Sequence, residues 1–151
     1  MIRKFVAAIS FMLIAVAGCD QPTILPEEVI GTWTLTEETS SRLPATLQGL
    51  EPKLVLLATG VFVVENVPAG LVVLVPDDVD WPLSGGGGWH LAYKDGKQVV
   101  QLNFRAFWDG AMQHVTPFGT QLDVSGDHDA ILLFYYQGDP DSSLRIEFEK
   151  L

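Results

Sequence analysis

The chain holds a single cysteine, Cys19, and that shortage already excludes a good deal. A lone thiol cannot close an internal disulfide, and zinc sites built on several cysteines go with it. A catalytic cysteine would need a base and a folded surround, whereas Cys19 abuts an apolar stretch near the start of the chain. Basic charge is scarce as well: nine Lys and Arg stand against nineteen Asp and Glu, a net charge of −10. Phosphate backbones repel such a chain, so nucleic-acid binding is excluded. The three histidines, His90, His114 and His128, do not pair at zinc-ligand spacing. No Gly-x-Ser-x-Gly elbow is present, so hydrolysis has no visible nucleophile. These absences lead to the expectation of a protein that is not an enzyme, with no catalytic residue, no cofactor and no metal.

What is present begins at the first residue. Arg3 and Lys4 precede residues 5–16, which are apolar apart from Ser10; a positive start and a short apolar core are the parts of an export signal. As a helix, residues 5–18 would span about 21 Å, short of the roughly 30 Å hydrocarbon core, which argues against a permanent transmembrane helix. Val16-Ala17-Gly18-Cys19 then places small residues before the cysteine. This resembles the lipobox of bacterial lipoproteins, with Val16 where leucine is commonest. The resemblance implies a diacylglycerol on the Cys19 sulfur, cleavage after Gly18, and palmitate-type chains holding the mature protein to a membrane. The competing reading is an ordinary secretory signal cut at a neighbouring small residue, which would leave a soluble protein with a free thiol.

The expected location is therefore the bacterial cell envelope, anchored through the lipid on Cys19 and facing the periplasm or the exterior. Asp20 resembles the inner-membrane retention signal of enterobacterial lipoproteins. One acyl chain binds marginally, while two or three hold firmly. Without residues 1–18 the chain carries seven Lys and Arg against nineteen Asp and Glu, a net charge of −12. The lipid must supply the attachment, because anionic headgroups repel the rest.

Three segments follow: 1–18 as a cleaved signal peptide, 19–28 as the lipidated N-terminus and an extended tether with Pro22 and Pro26, and 29–151 as one β-domain. The 133 residues from Cys19 suffice for one core and not for two. Period-two alternation dominates. Val29, Gly31, Trp33 and Leu35 alternate with Ile30 and a threonine-rich face. Further strands are expected over 53–57, 61–67, 89–94, 100–105, 119–124, 130–136 and 144–149. Residues 71–75 are a candidate ninth. Ala58-Thr59-Gly60 and Asp95-Gly96 read as tight hairpin turns. In 100–105, Val100, Leu102 and Phe104 share one face; in 144–149, Leu144, Ile146 and Phe148 do. A single short helix is expected over 43–48, closed by Gly49, with Leu43, Leu47 and Leu50 as a plug. Gly85 to Gly88 opens a strand, not a helix, so it reads as a linker or hairpin tip and not a phosphate cradle.

The fold class is all-β: a small antiparallel up-and-down barrel of about eight strands with one short helix. Gly31-Thr32-Trp33 resembles the Gly-x-Trp signature of lipocalin-like barrels, in which the tryptophan plugs one end. A broader resemblance runs through Asn66-Val67-Pro68, the Ser84 to Trp89 stretch and Phe134-Tyr135-Tyr136-Gln137-Gly138-Asp139-Pro140-Asp141-Ser142. It points to a family of bacterial secreted and lipoprotein domains, and it implies fold without an activity.

Two acidic sets could bind a cation, Asp77, Asp78 and Asp80 in one loop and Asp139 and Asp141 in another, but each also suits an ordinary solvated turn. Asp127-His128-Asp129 reads as an exposed turn. Trp81, Phe107, Trp108 and Phe118 would form an apolar entrance if their loops share one mouth; otherwise they fill the barrel. Residues 131–136 are apolar on both faces, so their outer side needs a cover. The function expected is a non-enzymatic, lipid-anchored envelope binding module, its partner a small apolar ligand or an envelope protein. The alternative is a structural or protein-interaction lipoprotein with a packed barrel. An envelope enzyme using clustered carboxylates is the third reading.

Overall fold

A computed structural model describes residues 23–72, 81–108, 112–115, 117–137 and 144–151. The strands are β1 (Gly31–Leu35), β2 (Lys53–Leu56), β3 (Val61–Pro68), β4 (Pro82–Lys94), β5 (Lys97–Trp108), β6 (Gln113–His114), β7 (Phe118–Ser125), β8 (Leu132–Gln137) and β9 (Leu144–Lys150). Apart from the two-residue β6, which lies beside the end of β5, each pairs antiparallel with its neighbours in sequence. The last returns to the first through Trp33↔Lys150, Thr34↔Glu149 and Leu35↔Phe148. The eight long strands thus form the expected up-and-down barrel, closed by the β4–β5 pairing.

Alternation decides what lies inside. Trp33, Leu54, Leu56, Phe62, Leu83, Leu102, Phe104, Leu122, Leu133, Ile146 and Phe148 are fully buried, each from the face that period two assigns to the core. Glu65, Asn103, Arg105 and Glu149 project outward. An apolar interior and a charged wall are the reverse of a barrel that spans a membrane.

The two ends differ. At one end the strands are joined by tight connections. Asp95 and Gly96 take φ of 51° and 77°, the pair of left-handed residues a two-residue hairpin requires. Gly60, with φ of 75°, closes the three-residue turn after β2. At the other end lie the longer connections after β1, β3, β5 and β8.

Gly85 to Gly88 is not a linker or hairpin tip. It occupies the middle of β4, the longest strand, paired to both β3 and β5. A Cβ at Gly87 would fall 1.9 Å from the Asn103 carbonyl oxygen, and one at Gly85 would fall 2.8 Å from Phe107 Cβ. The register also shifts between Gly86 and Gly87, with Arg105 as the extra residue on β5. A bulge and bare backbone together let the strand bend where the barrel turns its corner. Phe62 and Phe104 flank Gly87 on either side and meet edge to face, with centroids 4.8 Å apart.

Helix also falls elsewhere than expected. Among the described residues there are two short α-helices: α1 (Pro26–Val29) and α2 (Glu37–Arg42), the latter capped by the Thr36 hydroxyl accepting from the Thr39 amide. Thr36, Glu37 and Glu38 supply the N-cap and acidic first turn that favour this start. The predicted 43–48 helix is instead a set of turns anchored on the Pro44 carbonyl. Leu43 and Leu47 are buried as the plug requires, while Leu50 stays exposed. Of the candidate ninth strand, Leu71 ends a 3-10 turn (Ala69–Leu71), and residues 73–75 lie outside the described ones. Where a tether was expected, Ile24 and α1 dock onto the hairpin end.

Replacing Gly87 with Ala should destabilise the fold by about 1–3 kcal/mol, the usual cost of forcing extra atoms into a packed site. Gly88, whose Cβ would meet nothing nearer than 3.7 Å, should accept Ala within about 0.5 kcal/mol. Thermal denaturation of the two variants side by side checks the contrast.

Candidate functional site

The outer wall carries a groove of about 650 Å³ where β3, β4, β5 and β6 run together. Its floor is Gly86 and Ala106, which pair directly. Gly86 has no room for a side chain, since a Cβ there would sit 2.7 Å from the Phe62 carbonyl oxygen. The walls are Val63 and Glu65 on one side, Arg105 and Trp108 on the other, with Ser84 and Gln113 at the loop end. Trp108 is 48% exposed, and Val61 and Val63 are 40% and 38% exposed. The bend that the glycines permit thus has an outer counterpart: an apolar trough with an acid on one bank and a guanidinium on the other.

The other loop-end aromatics behave differently. Trp81, Phe107 and Phe118 are partly buried and packed on the core, and Phe107 stacks with His114 at 4.6 Å. Only Trp108 of the four is presented to solvent. The outer side of β8, for which the sequence demanded a cover, is covered in part by the chain itself, while Tyr136 stays 38% exposed. The Arg145 guanidinium lies 3.7 Å from the Phe134 centroid, and Phe134 meets Tyr136 edge to face. Arg145 Nε is also 2.9 Å from Glu147 Oε1, near enough for charge attraction without the alignment of a hydrogen bond. Tyr135 faces inward and donates to the Pro68 carbonyl at 3.0 Å; burial pushes its phenol pKa upward, so it stays neutral.

At the hairpin end the chain's own N-terminal segment forms a clasp. Ile24, 3% exposed, has both backbone groups held by one side chain. Its N–H donates to Gln98 Oε1 at 2.7 Å, and its carbonyl accepts from Gln98 Nε2 at 2.8 Å. Trp33 Nε1 donates to the Val29 carbonyl at 2.9 Å, and Lys150 Nζ donates to the Glu28 carbonyl at 2.8 Å. The Glu28 carboxylate accepts from the Leu25 N–H at 2.6 Å and pairs with His128 Nδ1. The Leu25 amide, and after it His128, hold the Glu28 pKa below the ordinary carboxylate value.

Cys19, Asp20, the Asp77, Asp78 and Asp80 set and the Asp139 and Asp141 loop all lie outside the described residues. Among the described residues no group of three or more His, Cys, Asp or Glu could hold a metal ion, and no helix is long and apolar enough to cross a membrane. His90 is exposed on β4. The clasp was not foreseen: nothing in the spacing of Ile24, Glu28, Gln98 and His128 marks them as partners. The groove had a signal, because four glycines leading into an alternating strand mark a bend or a close approach. Comparison with protein-family models, curated proteins and solved structures returns no match.

Because the folded Glu28 pKa is depressed, its contribution is present at neutral pH and lost as pH falls through the carboxylate range. Melting temperatures of the parent and of Glu28→Gln, compared across pH, should differ at neutrality and converge on acidification.

Proposed function

We propose that this chain is a lipoprotein of the bacterial cell envelope, attached through a lipid on Cys19, whose lipocalin-like barrel serves as a non-enzymatic binding module. Its contact surface is the groove on the outer wall, and the partner is an envelope protein. The observation that supports the choice of surface is how much of the interior is taken up: among the described residues eleven large strand side chains are fully buried in it, four of them aromatic. Ligand sites need several hundred cubic ångströms of concave space. Three hollows of several hundred cubic ångströms bounded by described residues lie on the outside, the groove at about 650 Å³ among them.

The lipocalin-like reading is supported by Trp33 of Gly31-Thr32-Trp33. It is fully buried at the hairpin end, bonded to the Val29 carbonyl, with Lys150 of the last strand 5.9 Å from its ring. The lipoprotein reading is supported by the leader, by the position of Cys19 beside it, and by the acidic domain behind it. A carboxylate-based enzyme draws no support from the described residues, whose acids do not converge.

Changing Cys19 to Ala should move the protein from the membrane fraction to the soluble fraction and abolish incorporation of labelled fatty acid; retention in the membrane would overturn the anchor. Native mass spectrometry of the purified mature domain is expected to show the bare polypeptide mass. A stoichiometric small molecule carried through purification would instead return the role to an enclosed ligand.

A further inference from the structure

We infer that the hairpin end of the barrel is its membrane-facing end, and that the chain holds the bilayer surface there through the clasp while presenting the outer groove away from it. The inference rests on the proposed lipid at Cys19 and goes beyond it, because an anchor on a free tether would leave the barrel's orientation open.

Three observations carry it. The first is where the chain outside the described residues begins. Thr23 lies at the hairpin end, its hydroxyl 3.5 Å from Tyr93 Oη near the tip of the β4–β5 hairpin. The second is that this segment is fastened. Ile24 is buried and doubly bonded to Gln98, the Glu28 carbonyl is bonded to Lys150, and the Glu28 carboxylate is paired with His128. These contacts come from the start of β5, the end of β9 and the β7–β8 connection, all at the same barrel end. The third is the leash. From Cys19 to Thr23 a fully extended chain reaches no more than about 14 Å. A lipid seated in the bilayer therefore keeps the hairpin end close to the headgroups.

Strand length sets the other distance. From Lys97 to Trp108, β5 climbs eleven residue steps; at about 3.3 Å each and a barrel tilt of about 40°, Trp108 stands roughly 28 Å above the hairpin tip. The groove is then presented well clear of the membrane. Charge does not choose the orientation: Lys94, Lys97 and Lys150 at the hairpin end are outnumbered by Glu27, Glu28, Asp95, Asp127, Asp129 and Glu149. The short fastened leash chooses it.

The test uses the full-length, lipid-modified protein in liposomes carrying a small fraction of acceptor-labelled lipid. Single cysteines are introduced at Thr59, exposed in the hairpin after β2, and at Glu51, exposed at the opposite end, and each is labelled with a donor fluorophore. Cys19 does not react, because its sulfur is in the lipid linkage. Energy transfer to the lipid should be several-fold greater from Thr59→Cys than from Glu51→Cys. Adding Gln98→Ala, which removes both bonds to Ile24, should shrink that contrast. Equal or reversed transfer, with the protein still on the liposomes, would overturn the orientation alone. An undiminished contrast in Gln98→Ala would overturn the clasp as its cause. Failure to associate with liposomes at either position would overturn the anchor and the orientation together.

Discussion

Phe62 and Phe104 can touch only because Gly87, which lies between them in the sheet, has no side chain. Adjacent strands are about 4.8 Å apart, so residues two strands apart normally have a third side chain standing between them. Here that place is empty, and the two rings close over bare backbone at a centroid distance of 4.8 Å. The contact contributes about 0.5–1.5 kcal/mol beyond the area it buries, as edge-to-face pairs do. Its larger consequence is geometric. The rings fill the barrel interior beside the bulge between β4 and β5.

The same glycines act on both faces of the sheet. Inward, Gly85 and Gly87 admit the aromatic rings; outward, Gly86 leaves the floor of a groove between Val63 and Ala106. An apolar trough beside an exposed tryptophan is the kind of surface that stays solvent-exposed at a cost unless a partner covers it. The packing of the interior and the availability of the exterior are therefore linked. A side chain at Gly85 or Gly87 would press on the interior packing, and one at Gly86 would fill the trough floor.

The opposite demand is met at the hairpin end. There the chain uses its own residues 24–30 as a cap, so that Trp33 and Val29 are sealed from water and the half-buried carboxylate of Glu28 is engaged. The strands converge on short turns, and the cap is held by side-chain to backbone bonds instead of a ninth full strand. On the outer wall of β8, stacking of Arg145 on Phe134 covers part of an apolar face in a similar way.

Much of this was determined by the sequence alone. Alternation in residues 100–105 and 144–149 assigned Val100, Leu102, Phe104, Ile146 and Phe148 inward, because a strand's period of two leaves each side chain only one face. Asp95-Gly96 specified its hairpin, because few other residues take two successive left-handed conformations. The leader and Cys19 specified a proposed address by their order along the chain, which needs no fold. What only the tertiary structure decided depends on pairs far apart in sequence. Four glycines became a barrel corner because Asn103, Phe107 and Phe62 approach them from neighbouring strands. Ile24 became a buried clasp because Gln98 stands opposite it, 74 residues away. Local pattern records which face a residue takes; it does not record which distant backbone will come within reach of it.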